Sequence, residues 1–464
     1  MRFAHTVPQV RAAEAELMAQ VPEGTLMQRA AAGLATAISD FVGHTYGARV
    51  LLVVGSGDNG GDALWAGSML ARRGAAVEAI CLSERPHSTG TPAFLAAGGQ
   101  IVTAAEAKRP DVVVDAVVGI GGKPGLRPDA EQAFELFPDC PVVAVDVPSG
   151  VEVDTGALAG PAVLADLTVT FGTHKVAHLV EPAASRCGSI ELVDIGLNLP
   201  GAAVESLQSS DIAALLPRPS AADHKYTRGV LGIRAGSSTY PGAAVMCTAA
   251  ATQGLIGMAR YVGSAAADVL AAHPEVVVGV GRVQAWAVGS GTAEEAGPAL
   301  AEALADGVPL VIDADALHQV TAPLPVPVVL TPHAGELAAM LQVERAEIEA
   351  AQLHYARLAA ARYECVVLLK GHHTLIARPD GRTRVTTSGS PWLGVAGAGD
   401  LLTGVIGSLL AAGLDPFDAA SVGSWVHGAA ANLAGAGGPL TPMGVSGKIS
   451  EVVRSLVAAP GAGR

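Results

Sequence analysis

Aromatic side chains are scarce, at 4% of a 464-residue chain. The cores must therefore rest on Val, Leu, Ile and Ala, which a 50% hydrophobic content supplies. Cysteine is scarce as well. The five, at 81, 140, 187, 247 and 365, form no C-x-x-C pair, which argues against a zinc site and against a disulfide framework. They read as small buried hydrophobes in a reducing, cytoplasmic setting. Positive charge is in deficit: 29 Lys and Arg stand against 43 Asp and Glu, a net charge of −14. A surface of that sign repels both nucleic acid and anionic membranes. Long apolar runs are missing too. No uninterrupted stretch reaches the ~18 residues of a membrane span. Arg2, Arg11, Glu14 and Glu16 break the N-terminal segment before it can read as a signal peptide.

What the chain has is length and glycine. It is too long for one ordinary core, which predicts two domains. The 56 glycines fit many tight turns and close backbone approaches. Val-rich runs alternate with helical stretches through the first half: 50–54, 77–82, 112–117, 142–146 and 167–171 read as buried strands. The segment from Val7 to Phe41 and that from Ala63 to Arg73 read as helical. The pattern restarts with strands at 230–233, 276–279, 310–313, 328–330 and 365–369. Helices are expected at 243–261, at 401–412 and around Trp425 and His427. Continuous apolar strands between helices predict parallel sheets covered on both faces, an α/β chain. Leu199-Pro200-Gly201 and Pro217-Arg218-Pro219-Ser220 mark a connector, so the expected domains are 1–208 and 209–464. The halves share no clear sequence repeat and read as different domains.

Chemistry-bearing residues cluster at predicted strand ends, where sheets of this class place their sites. In the first half, Asp58-Asn59-Gly60-Gly61-Asp62 follows strand 50–54. Asp115-Ala116-Val117-Val118-Gly119-Ile120-Gly121 and Asp146-Val147-Pro148-Ser149-Gly150 lie at the ends of strands 112–117 and 142–146. These pieces supply an acid–base candidate and hard oxygen ligands around one crevice. In the second half, Gly397-Ala398-Gly399-Asp400 leads into a helix, an arrangement that turns backbone N–H groups toward a phosphate. Asp313-Ala314-Asp315-Ala316-Leu317, Leu330-Thr331-Pro332-His333-Ala334-Gly335-Glu336 and Leu369-Lys370-Gly371-His372-His373-Thr374 precede it. Lys370 offers cationic help to a phosphate.

The first set, over residues 5–205, resembles the NAD(P)HX epimerase domain, with its N-N-G-G-D loop and its D-A-x-x-G-x-G and D-x-P-S-G turns. The resemblance implies a Rossmann-like parallel sheet and a K+ site at Asn59, Asp115 and Ser149. It implies substrate contacts at Asp58, Asn59, Gly60, Gly61 and Asp62, and at Gly119, Ile120, Gly121, Gly122, Lys123, Pro124 and Gly125, with Asp146 moving the proton. The chain departs from the pattern at Asp58 and Ala63. The second set, with Pro217-Arg218-Pro219, His224-Lys225 and Tyr240-Pro241-Gly242-Ala243-Ala244, resembles the ADP/ATP-dependent NAD(P)HX dehydratases over 211–460. That implies a ribokinase-like α/β domain. It implies hydrate contacts at Ala243, Gly281 and His333, nucleotide contacts at Lys370, Gly371, His372, His373, Thr374 and Gly399, and Asp400 as catalytic acid–base. Gly281 is taken from Gly279-Val280-Gly281-Arg282, which stands for the family's G-P-G-L; His318 and Ser390 are the other departures.

The expected protein is thus a cytoplasmic, homo-oligomeric, bifunctional repair enzyme. It epimerises R and S NAD(P)HX and dehydrates the S form at the expense of ADP, with Mg2+ and K+ as cofactors and no nucleic acid or membrane as partner. The alternatives are a small-molecule kinase fused to an epimerase-like domain, and a partly degenerate binding protein.

Overall fold

The computed structural model describes residues 1–458. They fall into two compact units, one of residues 3–204 and one formed by Met1–Arg2 with the chain from Glu205 onward. No helix among the described residues is long and apolar enough to cross a membrane.

After a short strand, Arg2–His5, the first unit has helices α1 (Val7–Met18) and α2 (Thr25–Val42). The single helical segment expected there is two, broken before the left-handed Gly24 that precedes α2. Seven parallel strands follow: β1 (Arg49–Val54), β2 (Ala76–Cys81), β3 (Gln100–Ile101), β4 (Val112–Ala116), β5 (Val142–Val145), β6 (Leu167–Phe171) and β7 (Ser189–Val193). Helix α3 (Asp58–Arg72) crosses from β1 to β2. The sheet order is β3-β2-β1-β4-β5-β6-β7. Winding reverses between β1 and β4, which opens a crevice at their carboxyl ends. The middle strands are buried on both faces, as their unbroken apolar runs require. Residues Leu34 and Ile38 of α2 and Leu64 and Leu70 of α3 pack with Val50, Leu52 and Val114 into one core. Each such buried aliphatic side chain contributes about 1.5–3 kcal/mol.

The second unit repeats this winding. Its strands are β8 (Val230–Arg234), β9 (Met258–Tyr261), β10 (Val277–Val278), β11 (Ala285–Val288), β12 (Leu310–Ile312), β13 (Val328–Leu330), β14 (Val366–Leu369), β15 (Thr374–Ala377) and β16 (Thr383–Thr386). They run in the order β10-β9-β8-β11-β12-β13-β14-β15-β16. The first seven are mutually parallel, β15 and β16 add an antiparallel hairpin, and the short strand Val204–Ser206 pairs parallel with β16 through Glu205 and Arg384. The switch point lies between β8 and β11. Helices α4 (Pro241–Ala251), α5 (Ala334–Leu341), α6 (Ala398–Ala411) and α7 (Pro416–Gly435) follow the chain. The helix expected over 243–261 ends at Ala251, and Met258–Tyr261 is a strand instead. Small residues there hide the change of period. Strand β11 had no sequence expectation, because Ala285-Trp286-Ala287-Val288 lacks the Val/Ile/Leu run of its neighbours.

Candidate functional site

In the first unit the crevice beside the switch point gathers the predicted residues. Gly119, just beyond β4, faces both walls: a Cβ there would sit 2.9 Å from Asn59 Oδ1 and 3.4 Å from Asp146 Oδ2. Asn59, Gly60 and Gly61 form the buried first turn of α3. Asp62 follows them, and burial first, then the charges of Asp146, Asp58 and Glu14, pushes its carboxyl well above the usual range. Asp58 points outward, 94% exposed, with His87 3.9 Å away. Gly121 lies by the Arg11 guanidinium of α1. The Gly122 N–H closes a turn onto the Gly119 carbonyl at 3.0 Å, and the Gly125 N–H donates to the Gly150 carbonyl at 2.8 Å. Ile120 packs against Val147 and Val151, while Lys123 and Pro124 are exposed at the loop tip.

Asp115 and Ser149 meet at the bottom of this crevice. The Ser149 hydroxyl donates to Asp115 Oδ1 at 2.6 Å and the Ser149 N–H to Oδ2 at 2.7 Å. Burial pushes the Asp115 carboxyl up to about 6 against these hydrogen bonds. No ion pair reaches it among the described residues, and the buried Asn59 Nδ2 has no hydrogen-bond partner. A buried carboxylate without a counter-charge, beside a hydroxyl and an amide oxygen, offers hard oxygen ligands to a cation.

Asp146 is built differently. It takes a left-handed backbone at φ 68°, which Asp tolerates better than most residues and which turns its side chain into the crevice. Lys175 is ion-paired to its carboxylate, and the Thr170 hydroxyl donates to it at 3.1 Å. Burial would raise this carboxyl; Lys175, His178 and Thr170 outweigh burial and hold it below the usual range. His178 is pushed down to about 3 by burial and by Lys175, so its ring is neutral. Its Nδ1 accepts from the Lys175 N–H at 2.9 Å, which leaves Nε2–H to donate to the Asp146 carbonyl at 2.9 Å. Sequence reasoning missed Lys175, Thr170 and His178. The available signal was a lysine just past a strand in a chain with few of them.

In the second unit the centre is Asp313, buried at the end of β12. It accepts from Lys370 Nζ at 2.8 Å, from the Thr331 hydroxyl at 2.9 Å and from the Ser290 hydroxyl at 3.1 Å. Lys370, at the end of β14, also lies 3.5 Å from Glu336. Burial works against both charges; their pairing wins, lowering Asp313 and raising Lys370. His333 caps α5: its Nδ1 accepts from the Glu336 N–H at 3.1 Å, and the Glu336 carboxylate accepts from the His333 N–H at 2.7 Å. The His333 ring stays half in solvent.

Helix α6 aims its N-terminus at this centre. A Cβ on Gly399 would lie 3.6 Å from Lys370 Nζ and 3.7 Å from Asp313 Oδ2. Gly397, left-handed at φ 93°, is the N-cap, so Asp400 lies within the first turn and is not the cap itself. Burial, then the charge of Asp313, pushes the Asp400 carboxyl up to about 6. His372 and His373 stack at 5.1 Å, the Thr374 hydroxyl donates to the Gly371 carbonyl at 3.2 Å, and Gly389 approaches the His372 carbonyl. Ser390 accepts from the Trp392 N–H at 3.3 Å, as a turn cap. His318 is exposed on a short 3-10 turn.

Gly281 is the predicted residue that the structure does not bring here. It lies exposed in the loop before β11, against the Arg260 guanidinium, in a cavity also lined by Gln284, Asp306 and Val308. Those residues border the amino ends of β11 and β12, whereas the site lies at the carboxyl ends. The glycines at the carboxyl end of β11 are Gly289 and Gly291. A Cβ on Gly289 would strike the Asp313 carbonyl at 2.1 Å, and one on Gly291 would meet Ala243 at 2.7 Å. Gly289-Ser290-Gly291 therefore takes the place that sequence reading gave to Gly279-Val280-Gly281. The signal, a G-x-G directly after a strand, was lost with β11 itself.

Comparison with known proteins follows this division. The family model described as NAD(P)H-hydrate dehydratase matches residues 231–441, and that described as YjeF-related protein N-terminus matches 23–177. The bifunctional NAD(P)H-hydrate repair enzyme of Mycobacterium leprae is 45% identical, over 99% of this chain and 100% of its own. That of Mycobacterium tuberculosis is 47% identical, over 91% and 92%. The ADP/ATP-dependent NAD(P)H-hydrate dehydratase of Bacillus subtilis, co-crystallised with ATP and Mg2+, is 28% identical with a TM-score of 0.51, covering 55% of this chain and 99% of that one. A ribokinase-like protein of Enterococcus faecalis shares the fold, at 22% identity and a TM-score of 0.51.

Proposed function

The chain belongs to the bifunctional NAD(P)H-hydrate repair enzymes, and from that premise we propose how its two units divide the work. Residues 1–208 form the epimerase and residues 209–464 the nucleotide-dependent dehydratase. The observation that carries this reading is that each unit has its own carboxylate centre at the carboxyl ends of its own strands, Asp146 in one and Asp400 beside Lys370 and Asp313 in the other.

The hydrate carries a hydroxyl at C6, a carbon also bonded to the ring nitrogen. Asp146 accepts the hydroxyl proton as the carbon–nitrogen bond opens, and reclosure on the other face exchanges R and S. Asp62, which burial pushes well above the usual carboxyl range, supplies the proton that the nitrogen takes up; two carboxyl groups shifted in opposite directions divide acid and base work. The loops 58–62 and 119–125 hold the hydrate. Potassium fits Asn59, Asp115 and Ser149, where it would neutralise Asp115 and offer positive charge to substrate oxygens.

In the second unit, the terminal phosphoryl group of ADP passes to the C6 hydroxyl and leaves AMP. Asp400 takes the hydroxyl proton. The N–H groups at the start of α6 and the Lys370 ammonium face the charge on the transferred phosphoryl group. Loss of phosphate from C6 and of a proton from C5 then restores the dihydropyridine. Ala243, Gly291 and His333 border the hydrate, and residues 370–374 with Gly399 border the nucleotide. Mg2+ enters as the nucleotide's own counter-ion, a role that needs no dedicated protein cage.

Incubation with ADP and hydrated NADH tests the reading through recovery of reduced-nicotinamide absorbance. No recovery overturns it, and a stable phosphorylated product without NADH would indicate a kinase. Asp400→Ala abolishes dehydration and spares exchange; Asp146→Asn does the reverse.

A further inference from the structure

Lys175 is almost fully buried, yet nothing in the sequence motifs assigns it a role. An ammonium group has three protons, and here each finds one acceptor: the Asp146 carboxylate, the Thr170 hydroxyl at 2.9 Å and the Phe171 carbonyl at 3.0 Å. Its backbone N–H fixes the neutral tautomer of His178, whose other nitrogen holds the Asp146 carbonyl. Lys175 therefore grips Asp146 directly through the carboxylate and, through His178, by the backbone. The Thr170 hydroxyl braces both partners.

We propose that Lys175 is a positioning residue of the epimerase site, which fixes the Asp146 carboxylate in place beside Gly119 as the proton acceptor while the rest of the crevice is acidic. The inference rests on the reading of Asp146 as the base. The other titratable groups that bear on Asp146 or Lys175 are Glu14 of α1 and Asp62 of α3, with His5 and His178; Asp58 acts on Glu14 and Asp62, and His174 on His178. Glu14 and Asp62 are carboxyl groups, both pushed up by burial and by the negative charge of Asp146. Without Lys175, burial would act on Asp146 with only His178 and Thr170 to oppose it, and its carboxyl would move upward. The opposite charge of Lys175 settles which carboxyl in the crevice stays ionised. Asp62, which lacks such a partner, is driven the other way.

The test uses the full-length protein and follows exchange of R and S hydrated NADH without nucleotide, by chromatographic separation, across pH. Lys175→Met is expected to move the acidic limb of kcat upward by about one unit or more, the size of effect an opposite charge at contact produces. The maximal rate falls about 100-fold, the scale of one acid–base group, with KM within about threefold. Lys175→Arg returns the limb most of the way, because the charge is restored. If Lys175→Met does not fold, as loss of the calorimetric transition that ADP leaves unmoved would reveal, Thr170→Val is read instead, with a smaller upward shift expected. An unchanged limb in the folded Lys175→Met, or in Thr170→Val where the first is lost, overturns the proposal. So does a fall in kcat/KM carried by KM alone. Asp146→Asn separates the two levels. Retained exchange in that variant refutes Asp146 as the base, whereas lost exchange there with an unmoved limb in Lys175→Met refutes the role of Lys175 alone.

Discussion

At the scale of single residues, the two sites solve the same problem in opposite ways. Asp146 and Asp400 are both carboxyl groups withdrawn from water at a strand or helix end. Asp146 has a cation in contact and is held low; Asp400 has another carboxylate nearby and is pushed up to about 6. For Asp400 as base, the ionised form is active and is lost as pH falls through that value. Dehydration at saturating ADP should therefore decline about tenfold per unit below pH 6 and level off above it, one proton being taken up. A pH–rate profile of NADH recovery checks this, and a flat profile between pH 5 and 7 would remove Asp400 from the role. Asp115, also pushed up to about 6, has no cation in contact. Replacing potassium by tetramethylammonium should slow exchange of the epimers at least about tenfold while leaving dehydration of the S form within twofold, as expected of a hard cation bound by oxygen ligands.

At the scale of elements, glycine decides how closely walls approach. Gly119 lies where a methyl group would press on Asn59 Oδ1 at 2.9 Å. Gly119→Ala should lower exchange about 10- to 100-fold, the penalty for misplacing reacting groups by about 1 Å, with dehydration as the unaffected internal standard. In the second unit, Gly291 is left-handed at φ 65° and abuts Ala243, whereas Gly281 faces only the flexible end of Arg260. Gly291→Ala should cost about 1–3 kcal/mol in strain and lose most dehydration. Gly281→Ala should leave dehydration within about twofold, as surface substitutions usually do. The reverse ranking in an NADH-recovery assay would restore Gly281 to the site.

At the scale of the whole molecule, one chain carries two sheets wound in the same order, each with its own core and its own ligand crevice. A ligand that binds one native unit stabilises that unit alone. ADP with Mg2+ at about 100 times its dissociation constant should add about 2.7 kcal/mol to the unit beginning at Glu205. Differential scanning calorimetry should then show one transition rising, with the other unmoved. A mutation of Lys370 to Met should cancel the rise by removing cationic contact with the phosphates.

Much of this was legible without coordinates. Strands with unbroken Val/Leu/Ile runs identify themselves, because burial on both sheet faces leaves no place for polar alternation; β1, β4, β5, β12 and β14 are of this kind. The glycine-rich turns with Asp115, Asp146 and Asp400 are equally local, since one turn and one carboxylate lie within a few residues. What sequence determined about this protein is therefore its α/β class, its two-part organisation and the carboxylates at its strand ends. Tertiary structure alone decided which charges meet. Lys175 finds Asp146 across 29 positions and Lys370 finds Asp313 across 57. It also placed Gly291, and not Gly281, beside Ala243 at the carboxyl end of β11. Strand order sets those encounters, and strand order follows from how the helices cover the sheet, a property of the folded whole that no local pattern of residues encodes.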